Sequence, residues 1–240
     1  MASSGSRDDV RERIIAAAAD LLQDGGTAAV TTRAVAERAS TQAPTIYRLF
    51  GDKDGLLDAV AEHAMAHFSA AKASALSPLA DAVDPIEELR ASWHQVVGFG
   101  LAHPDIFLII SNPRRGHDSP ALVAGTRVLE ERLRRVAAAG RLRIPEADAV
   151  TLVHAAGTGA VLALLEQDPA VRRDDLAEPL LDAVLARILT DATPREGGTD
   201  APTRVAAVTL RAAVSDLAPL SPAERALLAE WLDRVIDAPQ

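Results

Sequence analysis

The chain has 240 residues and a net charge of −9, with 25 Lys and Arg against 34 Asp and Glu. This balance excludes binding to a polyanion through overall charge, so any nucleic-acid site must be local. The absence of cysteine excludes a disulfide scaffold, a thiol nucleophile and cysteine-ligated metals, and it fits a cytoplasmic location. Because the chain is rich in alanine and only 3% aromatic, we expect an all-α fold.

Residues 1–52 have the pattern of three helices. Apolar residues at three- and four-residue spacing predict a first helix over residues 9–23, which ends at a pair of glycines. A second, short helix follows at residues 33–38. Pro44 cannot continue that helix but suits the first turn of a third, at residues 44–49. Two short helices joined by a tight turn and packed on a first helix make a helix-turn-helix unit.

The remaining residues have the pattern of longer helices separated by proline-containing breaks. An amphipathic run predicts a linking helix at residues 53–72, before a helical ligand-binding and dimerisation domain at residues 73–191. Residues 192–203 are rich in Thr, Pro, Gly and charge, which predicts a flexible linker. A C-terminal helical hairpin is expected at residues 204–240, with a capping box at Ser221.

Several other functions are disfavoured by the sequence. The longest uncharged apolar stretch, residues 149–165, is shorter than the ~20 residues of a membrane span. His63 and His67 are one helical turn apart but lack a third ligand, so a solvated helix face is the better interpretation than a metal site. Residues 157–159, Gly-Thr-Gly, lie inside a predicted helix without a preceding strand, so close helix approach is the better interpretation than a dinucleotide fingerprint. We expect no enzymatic activity, cofactor or metal.

Positive charge is concentrated around the predicted turn, because residues 31–53 carry a net charge of +2. A helix that enters the DNA major groove needs a slim N-terminal end facing the base edges, and flanking donors for phosphates. The third helix offers such an end in Gln42, Ala43, Pro44 and Thr45. Glutamine can read adenine, and small apolar groups can meet a thymine methyl. The candidates for phosphate contacts are Thr31, Thr32, Tyr47, Arg48 and Lys53.

The stretch from Ile14 to Leu57 resembles the DNA-binding domain of the TetR family of transcriptional regulators. The resemblance rests on Thr-Arg-Ala-Val-Ala-Glu-Arg-Ala at residues 32–39 and on Ala-Pro-Thr-Ile-Tyr-Arg-Leu-Phe-Gly-Asp-Lys-Asp-Gly-Leu-Leu at residues 43–57. It implies an all-helical homodimer in which helices two and three form the helix-turn-helix and helix four leads to a ligand-binding domain. It also implies that binding of a small molecule releases the operator.

The resemblance also assigns roles to single positions. Tyr47 and Lys53 match the phosphate contacts of the family, Arg33 matches the start of helix two, and residues 42–45 match the base-facing edge. Residues 40–41 are Ser-Thr where the family usually has Gly-Val. Serine tolerates a positive φ less well than glycine, so the geometry of the turn is where this chain departs from the pattern.

Four scarce large or titratable side chains in the second domain are candidates for an apolar effector site: Trp93, Phe99, Phe107 and His154. The alternative is that Trp93 and Phe107 simply fill the core. We expect the dimer interface in the helices at residues 146–167 and 174–190, where small residues allow close approach. The apolar area there would come from Leu164, Leu165, Leu181, Val184 and Ile188.

The sequence therefore predicts a ligand-responsive repressor that binds palindromic operator DNA as a homodimer and is released by a small apolar effector. The alternative is a helical small-molecule-binding or enzymatic domain with an inactive helix-turn-helix. Binding of promoter DNA that depends on Tyr47 and Arg48 would separate the two.

Overall fold

The structure is a computed structural model that describes residues 4–73, 84–112, 120–190 and 200–237. Over these ranges the fold is all-α, as predicted, apart from one isolated antiparallel bridge between Leu142 and Leu189. The helices are α1 (Ser4–Ala29), α2 (Thr32–Arg38), α3 (Ala43–Phe50), α4 (Lys53–Ala73), α5 (Pro85–Ala102), α6 (Pro104–Ile110), α7 (Pro120–Ala138), α8 (Glu146–Leu165), α9 (Ala177–Ile188), α10 (Asp200–Ala213) and α11 (Pro222–Ile236).

The described residues within 1–80 and 99–125 form one compact unit. Within it α1 packs against α2, α4 and α6, and α4 also packs against α3 and α6. The buried apolar side chains of α1 to α4 include Ile14, Ile15, Leu22, Val35, Ile46, Leu56, Leu57 and Val60. This unit differs from the predicted 1–52 domain because α4 and α6 pack directly on the first helices.

Two glycines bend α1 near its end. The regular helix is longer than predicted, because it begins at Ser4, but it is interrupted at Gly25 and Gly26 as the sequence indicated. Gly26 has a φ of +65°, a conformation that glycine adopts without a steric penalty. A Cβ at Gly26 would also lie 3.4 Å from Oδ1 of Asp105 in α6. The bend therefore places the last turn of α1 close to α6.

The described residues within 81–98 and 126–240 form the second unit. In it α8 packs against α9, and α10 packs against α11. Gly157 of α8 lies against Trp93 of α5, since a Cβ at this glycine would be 3.4 Å from Cζ3 of the indole. The prediction of close helix approach is thus confirmed at Gly157, whereas Gly159 is exposed, with no atom within 4 Å of a Cβ built there.

The predicted dimer interface needs a correction. Leu164, Leu181 and Ile188 are completely buried in the single chain, so they fill its core and are not available to a partner. The reason is that α8 and α9 pack on each other within one chain, which an apolar helical pattern cannot distinguish from packing between chains. Leu165 and Val184 are half-buried.

Helix α8 is unusually apolar for the extent of its burial. It is the one described helix long and apolar enough to cross a membrane by length and composition, a test that core helices of soluble proteins also pass. Only 33% of its most apolar 18-residue stretch is buried. Leu152 is 39% exposed, and Ala155 and Gly159 are exposed beside it. One face of α8 is therefore both apolar and uncovered by its own chain.

The C-terminal hairpin has the predicted capping box but a different start. Ser221 Oγ accepts from the amide of Glu224 at 3.3 Å, and the Glu224 carboxylate accepts from the amide of Ser221 at 2.8 Å. Most of the predicted linker, residues 192–199, lies outside the described residues. Its last four residues, 200–203, are instead the start of α10. The proline at position 202 falls within the first turn of this helix, where proline is tolerated.

Candidate nucleic-acid interface

Helix α2 begins with a threonine cap. Thr31 Oγ1 accepts from the backbone N–H of Ala34 at 3.2 Å, which satisfies one of the unpaired donors of the first turn. Thr32 is the first residue of the helix and is half-buried, whereas Thr31 and Arg33 are exposed. Because a hydroxyl that accepts can still donate, Thr31 retains its proton for a phosphate oxygen.

The turn between α2 and α3 is built on Ser40. Its φ is +50°, and within the described ranges no other non-glycine residue has a positive φ. The next amide, of Thr41, donates to the carbonyl oxygen of Ala36 at 2.9 Å and closes α2. The departure from the family pattern at residues 40–41 thus places serine in a left-handed conformation that costs an L-residue energy.

Helix α3 presents its N-terminal edge to solvent. Gln42 occupies the N-cap position without a side-chain capping bond, and Pro44 lies in the first turn. Gln42 and Pro44 are exposed, Ala43 and Thr45 are half-buried, and Ile46 is buried against the unit. Burial of Ile46 fixes the rotation of the helix, so the predicted base-facing residues lie on its open side.

Two large side chains project from the middle of α3. Tyr47 is 55% exposed and Arg48 is also exposed. Within the described part of the chain, Arg48 and Arg33 form no ion pair, so both charges are available to an anion. At the end of the helix the guanidinium of Arg11 lies 5.7 Å from the centroid of the Phe50 ring, a cation–π distance that ties α3 to α1.

The other basic residues of this surface have partners within the chain. Nζ of Lys53 donates to the carbonyl oxygen of Thr27 at 2.7 Å, and Arg38 forms an ion pair with Asp24 at 3.0 Å. Sequence reasoning missed both contacts, because these partners are 26 and 14 residues away and no local pattern marks them. Lys53 keeps two further N–H donors, whereas the charge of Arg38 is offset by its partner.

The four predicted effector-site residues do not share one environment. Trp93, which is 4% exposed, belongs to the second unit, and its indole Nε1 has no hydrogen-bond partner among the described residues. Phe99 and Phe107 are buried in the first unit, where Phe99 lies 5.1 Å from the ring of His103. His154 is exposed on α8. The role of these four residues as effector contacts therefore stays a prediction.

An open cleft is found in each unit. In the first unit a cleft of about 390 Å³ is lined by residues of α4 and α6, including Lys53 and Asp105. In the second, a cleft of about 300 Å³ is lined by the start of α8 and the C-terminal hairpin, including Glu146 and Arg211. Burial raises the pKa of Glu146, an effect that the nearby Arg211 partly opposes. None of the predicted effector residues lines either cleft.

The described residues contain no group of three His, Asp or Glu side chains that could hold a metal ion. The side chain of His67, one of the two histidines weighed as ligands, lies outside the described residues.

Comparison with known proteins places this interface in a family. Residues 14–60 match the family model described as bacterial regulatory proteins, tetR family. The chain is 48% identical over 52 residues to the tetracycline repressor protein class C of Escherichia coli, covering 22% of this chain and 24% of that protein. It is 34% identical over 91 residues to the HTH-type transcriptional regulator BetI of Burkholderia thailandensis, covering 38% and 46%. These alignments span between a quarter and about half of the length of the curated relatives.

The fold extends the likeness beyond the aligned residues. The crystal structure of RolR in complex with resorcinol is similar with a TM-score of 0.62 and 24% identity, covering 79% of this chain and 92% of that one. The exposed N-terminal edge of α3 and the helical second unit define a helix-turn-helix DNA-binding regulator. Residues 14–60 form a DNA-binding domain of the TetR family of transcriptional regulators, and the described chain has the fold of solved TetR-family proteins.

Proposed function

We propose that this protein is a repressor that binds a palindromic operator as a homodimer in the cytoplasm and is released by a small apolar effector. The observation that carries the proposal is the exposed edge of α3, where uncapped Gln42 stands before Tyr47 and Arg48 above a buried Ile46. Repression is favoured over activation by the likeness to proteins named as tetracycline repressors.

In the proposed complex the contacts to DNA divide into two classes. Lys53, Arg48 and Tyr47 neutralise or bond phosphates and set the register, whereas Gln42 and Thr45 face the bases. Phosphate contacts release counterions, so their loss weakens binding to every sequence and lowers the salt dependence. Loss of a base contact changes the preference among sequences instead.

The test is a DNA-binding titration on promoter fragments at two salt concentrations. Tyr47→Phe combined with Lys53→Ala should weaken binding to all fragments together, whereas Gln42→Ala should change their ranking. Arg173→Ala removes an exposed and paired arginine of the second unit and serves as the matched control. Unchanged affinity of the double variant at both salt concentrations would contradict the proposal.

A homodimer is proposed because one two-turn recognition helix contacts too few bases for selective binding, and a two-fold dimer reads two half-sites about 34–36 Å apart. The uncovered apolar face of α8, at Leu152, Ala155 and Gly159, supports the assembly. Leu152→Glu should yield monomers of 25.2 kDa by light scattering. Val128→Glu on α7, where the valine is exposed to a similar extent, should leave the dimer intact. A monomeric wild type would refute the assembly.

Release by an effector is proposed from the helical second unit and from the buried indole of Trp93. An effector can shift the protein from the operator only through its differential affinity for the two states, on the order of 1–3 kcal/mol. Solved proteins with this fold include complexes with resorcinol and with stearoyl-CoA. The two ligands differ so widely in size that the fold does not select one effector.

The effector test follows tryptophan emission and DNA release together. Apolar compounds that change the emission should release a preformed DNA complex over the same concentration range, and the change should disappear in Trp93→Phe. Trp231 remains in that variant as an internal reference. If every compound that changed the emission of Trp93 left DNA affinity unchanged, the proposed release by an effector would be contradicted. The proposal of DNA binding would not be affected.

A further inference from the structure

The last helix, α11, carries an uncovered apolar stripe. Leu227, Trp231 and Val235 are 44%, 53% and 47% exposed, although each is a large apolar side chain. They are spaced four residues apart, so they follow one another along the same side of the helix. The opposite side holds Ile236, which is buried in the hairpin. The stripe is therefore separate from the face by which α11 packs on its own chain.

No other helix in the described ranges has more than one exposed large apolar side chain. Single exposed apolar residues are normal on a soluble protein and need no explanation. Three in register on one helix are the pattern of a helix face that packs against another helix. In α11 the centre of this face is a tryptophan, a residue type that is enriched at the centres of interfaces.

We propose that the stripe packs against the same stripe of a second copy of this chain, with the two α11 helices antiparallel about a two-fold axis at Trp231. The spacing is symmetric about this residue, so Leu227 of each copy lies opposite Val235 of the other. A surface that meets its own copy must be self-complementary, and an isologous contact of this kind pairs two copies of the surface and no more.

The charges beside the stripe support this partner. Glu230 and Arg234 lie on one flank of it and form an ion pair along the helix. In an antiparallel two-fold pair the same flanks of the two helices meet, so Glu230 of one copy comes within a turn of Arg234 of the other. The opposite charges thus face each other twice across the axis, whereas in a parallel two-fold pair these two flanks lie on opposite sides of the contact and do not meet.

The contact is small, because three side chains per copy bury less than the area of a stable independent dimer. The fraction of molecules that form this contact should therefore increase as the protein concentration rises. The stripe is on a different helix from the apolar face of α8, so a chain that dimerises through α8 would join a second dimer through α11. This inference does not depend on DNA binding, and variants of α8 and of α11 test the two surfaces separately.

Sedimentation velocity over a concentration series up to roughly 100 μM tests the assembly. The wild type should gain a species of twice the basal mass, and Trp231→Glu should lose that species while it keeps the basal one. Val171→Glu is the matched control, since this valine is 73% exposed in the turn after α8 and lies outside the stripe. Equal masses of the wild type and Trp231→Glu at every concentration would overturn the proposal.

Charge reversal tests the antiparallel arrangement. Glu230→Arg and Arg234→Glu should each abolish the larger species, because each places like charges across the axis, and the double reversal should restore it. In a Trp93→Phe background the emission of Trp231 should shift to shorter wavelength as the population of the larger species increases. Failure of the double reversal to restore association, together with an emission maximum independent of concentration, would exclude this pairing.

Discussion

Replacing Ser40 with glycine should stabilise the DNA-binding unit. A φ of +50° costs an L-residue about 1–2 kcal/mol relative to glycine. Glycine loses more conformational entropy than serine on folding, which cancels about 0.4–1 kcal/mol of the stability gained by relieving this strain. The difference leaves a net increase of roughly 0.5–1 kcal/mol in the free energy of unfolding, or a rise of about 1–4 °C in Tm for a chain of this size.

Thermal and urea unfolding of Ser40→Gly, followed by circular dichroism, measure this effect. Ser40→Ala is the matched control, because it removes the hydroxyl but keeps the Cβ atom that makes the left-handed conformation costly. The turn keeps its geometry in Ser40→Gly, so operator affinity should stay within about two-fold of the wild type. A lower Tm for Ser40→Gly, or an equal gain for Ser40→Ala, would show that the backbone conformation is not the source of strain.

Substitutions at four further positions test other parts of the fold. Thr31→Ala removes the cap of α2 and should cost about 1 kcal/mol in urea unfolding, whereas Thr31→Ser should cost little. Gly98→Ala, where a Cβ meets nothing within 4 Å, should stabilise α5 by about 0.5–1 kcal/mol. Gly157→Ala presses a methyl group on Trp93, so it should increase the free energy of unfolding by less than Gly98→Ala does. The midpoints of urea unfolding measure this difference. Glu146→Gln should stabilise the protein at neutral pH, because burial raises the pKa of this carboxyl and the folded state disfavours its charge. That advantage should disappear below about pH 4.5, where the wild-type carboxyl is protonated in both states.

Local features of the DNA-binding unit were predictable from sequence. The bounds of α3, the cap at Thr31 and the bend at Gly25 and Gly26 each follow from the chemistry of one or two residues. The strained turn at Ser40 was predictable for the same reason, since only its own backbone conformation is involved.

Contacts between distant residues were not predictable in this way. The bond from Lys53 to the Thr27 carbonyl and the pairing of Arg38 with Asp24 depend on how α1 bends and where α4 begins. The apolar pattern that marked Leu164 as an interface residue correctly indicated burial but could not indicate by which chain. Periodicity identifies a buried face, whereas the identity of the covering surface is a property of the tertiary arrangement.

The uncapped start of α3 has a consequence for how such regulators diverge. Gln42 holds the N-cap position without a capping bond, and Pro44 removes one of the donors that a cap would otherwise satisfy. Under the proposed role, the side chain that reads bases therefore makes no capping bond to the helix it precedes. Such a position can exchange its side chain at little cost in stability, so descendants of one gene can acquire new operators while the fold stays the same.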